Sequence, residues 1–222
     1  MSPYSGPVLV ISSSLRTDVH DIDVFSWTGD AIRITGSGLI AIENAVITSI
    51  PGRAMELIWS YNIKIINVTV DADSILMDNC TGALLQKIEI IDGPFRYSVT
   101  TCSDCTFLDN VLRIYDGWQF ADCIDCSLRN NTLYGDAYIT GENRAFYLIS
   151  LLNCAGLKVA DNMFIDQSSP SPFMSMAYDD EPGNEWNDDE VGNDWSNWNG
   201  TGPYPIAGAG GAFDLKPRNS QN

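Results

Sequence analysis

The chain has 222 residues, 45% of them hydrophobic, so it is long enough to build one sizeable core. Its 29 acidic and 12 basic residues give a formal charge of -17, which disfavours binding to nucleic acid phosphates and to anionic membranes. No apolar stretch approaches the roughly 18 residues that insertion into a bilayer requires, and the first residues lack the basic and apolar regions of a signal peptide. Neutral or cation-bridged partners suit this composition better.

Short hydrophobic runs recur along most of the chain. One column of small side chains has steps of 23, 20, 22, 21 and 31 residues, and its members are Ser37, Ser60, Cys80, Cys102, Cys123 and Cys154. Five residues after each stands an apolar side chain, in the column Ile42, Ile65, Leu85, Phe107, Leu128 and Val159. Mostly polar residues separate the columns, which is the period of two expected of half-buried strands.

This repeat predicts an all-β fold, a right-handed parallel β-helix of about seven coils. We assign residues 1–168 to the coils and residues 169–222 to an irregular C-terminal cap that is acidic and rich in Trp, Asn and Gly. Leucine-rich repeats have a similar period, but their L-x-x-L-x-L-x-x-N frame is not kept. Asn110, Asn131 and Asn162 share a further column and predict an asparagine ladder at an inward bend.

Two CxxC pairs, Cys102/Cys105 and Cys123/Cys126, have the spacing of a zinc site. All four cysteines also fall on inward columns, which explains the spacing without a metal, because a buried thiol behaves as a small hydrophobe. We therefore predict packed thiols and no metal ligands. Disulfides between stacked coils and a zinc or iron-sulfur centre remain the alternatives.

Asp92, Asp116 and Asp136 recur at one turn in successive coils. Asp beside Gly is ordinary turn chemistry, but a row of carboxylates flanked by Arg113 and Tyr134 would also suit a sugar or a bridging cation.

The long step after Cys123 predicts a loop that projects from the wall beside this turn and carries Tyr138, Glu142 and Arg144. With the turn residues, these side chains form the predicted ligand-binding set. No catalytic residue is predicted, and the only histidine, His20, lies in the weakest coil.

Four N-x-T sequons, at Asn67, Asn79, Asn130 and Asn199, predict glycosylation sites. The first three precede an inward column by one residue, so their side chains should point outward.

Eight acidic residues lie between Asp179 and Asp194, close to Trp186, Trp195 and Trp198. We interpret this segment as a solvated cap over the end of the solenoid. Clustered carboxylates are also what calcium selects, and the tryptophans could serve a ligand as well.

The repeats "NCTGALLQKIEI", "TCSDCTFLDNVL", "DCSLRNNTL" and "NCAGLKVADNMFI" resemble those of the NosD-type parallel β-helix proteins, the carbohydrate-binding and sugar-hydrolase repeat family. The ending "GNDWSNWNGTGPYPI" and "FDLKP" is similar to the terminal segment of that family, although "NGTG" stands where many relatives carry an acidic stretch. The resemblance covers residues 30–217. It implies a β-helix of archaeal surfaces or bacterial periplasm that is linked to polysaccharide, without a defined activity.

We therefore expect a noncatalytic β-helix, extracellular or at the cell surface, that associates with a polysaccharide or surface glycan. It needs no cofactor, with calcium as an open alternative. A second class is a lyase or epimerase acting on a uronate polymer, with Arg113, Tyr134 or Arg144 as the base. A third class is a filament or shell component that assembles through coil ends or walls.

Overall fold

The computed structural model describes residues 6–26, 29–92, 96–114, 117–135, 138–139, 145–167 and 175–218. These residues form strands, bends and turns, and no helix occurs among them. The described chain accordingly contains no helix that could span a membrane. The predicted all-β class is confirmed.

The described residues form 21 strands. In the first half of the chain they are β1 (Leu9–Ser12), β2 (Thr17–Ser26), β3 (Ile32–Thr35), β4 (Ile40–Ile58), β5 (Lys64–Asp78), β6 (Leu84–Asp92), β7 (Arg96–Thr100), β8 (Thr106–Leu108) and β9 (Val111–Ile114). In the second half they are β10 (Trp118–Ala121), β11 (Ser127–Arg129), β12 (Thr132–Gly135), β13 (Tyr138–Ile139), β14 (Ala145–Phe146), β15 (Ile149–Leu152), β16 (Lys158–Ala160), β17 (Met163–Asp166), β18 (Ala177–Asp179), β19 (Asp194–Trp195), β20 (Tyr204–Pro205) and β21 (Phe213–Asp214).

Three rows of parallel pairs build a β-solenoid. Row A runs through β1, β3, β4, β5, β7, β10, β15 and β18. Row B runs through the first parts of β2, β4, β5 and β6 and then β8, β11 and β16. Row C runs through the end of β2, the middle parts of β4 and β5 and the end of β6, and then through β9, β12, β17 and β19. The chain is therefore a parallel β-helix repeat protein.

The register places the predicted apolar column in one stacked row. Ile42 lies opposite Ile65, and Leu128 lies opposite both Phe107 and Val159. All of these side chains are buried, because alternate residues of each strand face the interior. The coil count differs slightly from the predicted seven. β18 and β19 continue rows A and C into the C-terminal segment. The right hand of the solenoid stays a prediction.

The corner between rows B and C is made by residues with left-handed backbone. Asn44, Asn67 and Asn130 have φ angles of 55°, 56° and 52° there. Asn and Asp tolerate this conformation better than most side chains. The Asn and Asp residues that recur at this corner therefore let the chain turn from row B into row C.

The predicted asparagine ladder is present and is longer than expected. Asn110 donates from Nδ2 to Asn131 Oδ1 over 2.8 Å, and Asn131 donates in the same way to Asn162 over 2.8 Å. The ladder continues through Asn193, 3.0 Å from Asn162, and ends at the buried carboxylate of Asp214. An acceptor suits that last position, because Asn193 approaches it with both its backbone and its side-chain N–H.

All six cysteines are free thiols buried in the core. Cys102 Sγ accepts the backbone N–H of Cys80 over 3.4 Å and donates to the carbonyl of Thr100 over 3.2 Å. Hydrogen bonds among the thiols, together with burial, raise the pKa of Cys102, Cys126 and Cys154. The partner thiols Cys80, Cys105 and Cys123 have a lowered pKa, because the same hydrogen bonds outweigh burial there. In the structure the CxxC spacing is that of packed thiols in two inward columns.

Candidate functional site

The outer face of row C brings two predicted site residues together. Arg113 on β9 lies opposite Tyr134 on β12, and the guanidinium carbon stands 5.4 Å from the centre of the tyrosine ring. Their inward neighbours Leu112 and Leu133 are buried, so the alternation of the strands directs both side chains outward. This distance is within the range of a cation–π contact, which orders the exposed guanidinium over the ring.

The same outward column continues along the wall. Ile165 on β17 lies opposite Tyr134, and both side chains are half-buried. We call Arg113, Tyr134 and Ile165 the row C wall. It combines one cation with aromatic and aliphatic surface, which is a set of groups that suits a ligand with both hydroxyl and C–H faces.

The structure does not describe the side chains of the remaining residues of the predicted set. Asp116, Asp136, Glu142 and Arg144 lie outside the described residues. The backbone of Asp92 ends β6 opposite Asp71, but its side chain lies outside the described part.

The predicted loop contains a short antiparallel pair. The backbone of Tyr138 in β13 lies opposite Phe146 in β14, apart from the three parallel rows. The side chains of both strands lie outside the described part. The carboxylate row along this turn therefore stays a prediction.

The four sequon asparagines are exposed. Asn67 donates to Asn44 Oδ1 over 2.9 Å, and Asn130 donates to Asp109 Oδ1 over 2.7 Å. These bonds form a second, outer ladder along the corner between rows B and C. Glycosylation at these positions stays a prediction.

Two buried carboxylates, Asp179 in the predicted acidic segment and Asp214 beyond it, accept hydrogen bonds from tryptophan side chains. Buried Asp179 accepts the indole N–H of Trp186 over 2.9 Å, and buried Asp214 accepts that of Trp195 over 2.9 Å. Burial raises the pKa of Asp214, although hydrogen bonds from Trp195 and Asn193 act in the opposite direction. The Trp195 ring stacks on Tyr204 at 4.1 Å. Trp186 and Trp195 are buried, so neither presents an exposed ring to a ligand.

A groove of about 650 Å³, which the repeat pattern did not predict, lies on the outer face of row B. Its floor contains Arg129 and Lys158, and its far side is built from residues 184–189 with Phe213 and Leu215. We call it the C-terminal groove. The segments that form this groove share no repeat in the sequence. Only the aromatic residue Phe213 in "FDLKP" could have indicated the groove.

A second groove, of about 620 Å³, lies on the same face near the first coils. Arg16, His20, Glu43 and Lys64 line it, and His20 Nδ1 stands 3.6 Å from Glu43 Oε2. We call it the N-terminal groove. Within the described ranges, neither groove nor any other place gathers three or more His, Cys, Asp or Glu side chains that could hold a metal ion.

No known protein-family model matches the chain, and no curated protein matches it either. The strand register alone shows the parallel β-helix. The likeness to the NosD-type family depends on the repeats and the terminal motif given above.

Proposed function

We propose that this protein is a noncatalytic β-helix of the NosD type, located outside the cell or at its surface, and that a glycan binds along the row C wall. The contact between Arg113 and Tyr134 carries the proposal, because it presents an ordered guanidinium and an aromatic ring on a rigid outer surface. The predicted loop around residues 136–144 would border the same site.

The chemistry of the wall suits a saccharide. A sugar ring has C–H groups that pack on an aromatic or aliphatic surface, which Tyr134 and Ile165 supply. Its hydroxyl groups accept hydrogen bonds from a guanidinium such as that of Arg113, which presents several N–H groups in a fixed plane. Because stacked strands repeat at about 4.8 Å, successive coils can meet successive sugars of an extended chain.

The acidic composition and the exposed sequons also support a location outside the cell or at its surface. A formal charge of -17 keeps the protein soluble and away from anionic polymers unless a cation bridges them. The sequon asparagines are exposed, as attachment of a glycan would require.

The proposal is tested on a glycan array, with calcium present and with a chelator in its place. At least one polysaccharide should bind, and Tyr134→Ala should weaken its binding about 10-fold, which corresponds to about 1.4 kcal/mol. Tyr178→Ala is the matched control, since Tyr178 is a half-buried tyrosine on the outer face of row A. It should bind as the unmodified protein does.

The same samples are then assayed for new unsaturated or reducing ends. Turnover of a uronate polymer that disappears in Arg113→Ala would contradict the noncatalytic proposal and favour a lyase. Concentration-dependent fibres without glycan binding would favour assembly instead.

A further inference from the structure

We propose that the C-terminal groove is a second glycan-binding site and that it takes a neutral oligosaccharide. The inference rests on the proposed function for its ligand class, and it assigns that ligand to a different face of the solenoid. It follows from the exposed ring, the ordered polar groups and the charge balance of the groove.

The floor of the groove is rigid. Arg129 and Lys158 project outward from β11 and β16, because their neighbours Leu128 and Val159 are buried in the stacked column. Glu185 forms a parallel bridge with Lys158 and so extends row B into the C-terminal segment. Three successive coils therefore supply adjacent side chains to one surface.

An exposed aromatic side chain lines the far side. Phe213 is 51% exposed, and Leu215 is 65% exposed. Between them Asp214 is buried at the end of the asparagine ladder, which directs its two neighbours outward. The backbone N–H of Leu215 also donates to Asn187 Oδ1 over 3.1 Å. The ring is thus an apolar platform on a fixed backbone, and such platforms pack well against the C–H face of a sugar.

Ion pairs order the polar groups of the groove. Arg129 contacts Asp188 at 3.0 Å, and Lys158 contacts Glu185 at 4.0 Å. Asp188 also accepts the backbone N–H groups of Val191 and Glu190. Those two bonds, followed by the nearby Arg129, lower the pKa of Asp188, so it stays ionised and continues to orient the guanidinium.

The charge balance selects a neutral ligand. Both cations of the groove are paired with carboxylates, and Asp189 adds a third acidic group. A uronate or sulfated sugar would find both cations already paired with carboxylates, whereas neutral hydroxyl groups can both donate to the carboxylates and accept from Arg129. The N-terminal groove has similar charges but no Phe, Tyr or Trp in its lining. The exposed ring of Phe213 therefore distinguishes the C-terminal groove from the N-terminal groove.

The test is an NMR titration of the whole chain with cellohexaose, maltohexaose, mannohexaose and hexagalacturonate as probes. At least one neutral hexasaccharide should shift the backbone amides of residues 127–129, 158–160, 184–189 and 213–215. Phe213→Ala should raise the Kd for that probe at least 10-fold, and Phe213→Tyr should restore most of the affinity. Arg129→Gln should also weaken binding without depending on the hairpin that carries Phe213.

The matched control is Leu39→Ala, because Leu39 is 53% exposed and lines the N-terminal groove. It should leave the Kd unchanged, and thermal unfolding of each variant checks its fold. Shifts confined to the strands of Arg113 and Tyr134, unaffected by Phe213→Ala, would overturn the inference but keep the proposed function. Tighter binding of hexagalacturonate than of the neutral probes would overturn it as well. No shift with any probe would contradict both proposals.

Discussion

Two of the inward columns lie at corners of the solenoid, and the side chains of both accept backbone N–H groups from the neighbouring coil. In the first column, hydroxyl and thiol side chains are the acceptors: Ser37 donates its backbone N–H to Ser60 Oγ over 3.2 Å, and Cys80 donates to Cys102 Sγ over 3.4 Å. In the second column, Asn110 donates its backbone N–H to Asn131 Oδ1 over 3.1 Å. Both corners therefore need a buried acceptor for a backbone N–H group. Hydroxyl and thiol groups supply it in the first column, and amide groups supply it in the second.

The two columns differ in what the side chain donates. Asn131 Nδ2 donates both to the carbonyl of Phe107, over 3.0 Å, and to Asn162 Oδ1, over 2.8 Å. A thiol is a weak donor: Cys102 Sγ reaches a carbonyl in its own coil, and Cys80 Sγ and Cys123 Sγ reach carbonyls of the preceding coil over 3.4 Å. Asparagine thus links three coils through amide hydrogen bonds, whereas the links made by cysteine are weaker. We expect the amide column to be sensitive to substitution and the thiol column to tolerate serine.

The largest effect is expected from Asn131→Leu. The change leaves the backbone N–H of Asn110 and the carbonyl of Phe107 buried without their amide partner, and each such group costs about 1–3 kcal/mol. We predict a loss of about 3 kcal/mol in the free energy of unfolding, measured by urea denaturation. The exposed neighbour is the control: Asn130→Gly keeps the left-handed backbone and should cost less than about 1 kcal/mol. A loss below about 1 kcal/mol in Asn131→Leu would show that the ladder is not structural.

A smaller effect is expected where the ladder ends. Asp214→Asn replaces a carboxylate that accepts N–H groups from Asn193, Trp195 and Lys216 with an amide that must also donate. We predict that the free energy of unfolding falls by about 2 kcal/mol at neutral pH, because the N–H groups of the new amide then face buried N–H groups. The measurement is again urea denaturation, of both proteins from pH 7 to pH 4.

The pH dependence of this difference follows from the raised pKa of Asp214. The folded protein binds the proton more tightly than the unfolded chain, so the contribution of this carboxyl is largest below its unfolded pKa and is lost as the pH rises through its folded pKa. The stability difference between the two proteins should therefore widen as the pH falls from 7 toward 4. A difference that narrows over this range would contradict a raised pKa.

The smallest effect is expected in the thiol column. Cys102→Ser keeps a side chain that accepts the N–H of Cys80 and donates to the carbonyl of Thr100. Ser60, two steps earlier in the column, makes the equivalent bonds to Ser37 and Ile58. We predict a change within about 1 kcal/mol by thermal unfolding. Cys102→Val, which removes the acceptor, should cost more. A collapse of the fold in the serine variant would instead point to a disulfide or a metal.

The columns could be predicted because each strand is short and every coil repeats the same alternation. Asn193 and Asp214 were missed because the chain between them contains irregular turns that hide the period, although the ladder continues in space. The same columns predicted that Arg113 and Tyr134 lie side by side on neighbouring coils. The C-terminal groove could not be predicted, because it joins strands of the repeat to segments that follow no repeat.

The central claim is that the inward columns are structural and that ligand binding belongs to the outer surface. The most direct measurement compares the glycan affinity of the double variant Cys102→Ser, Cys123→Ser with that of Tyr134→Ala, for a polysaccharide that the unmodified protein binds. We predict an unchanged Kd for the double variant and a Kd raised about 10-fold for Tyr134→Ala. A double variant that stays folded but loses binding, beside a Tyr134→Ala variant that keeps it, would contradict the account.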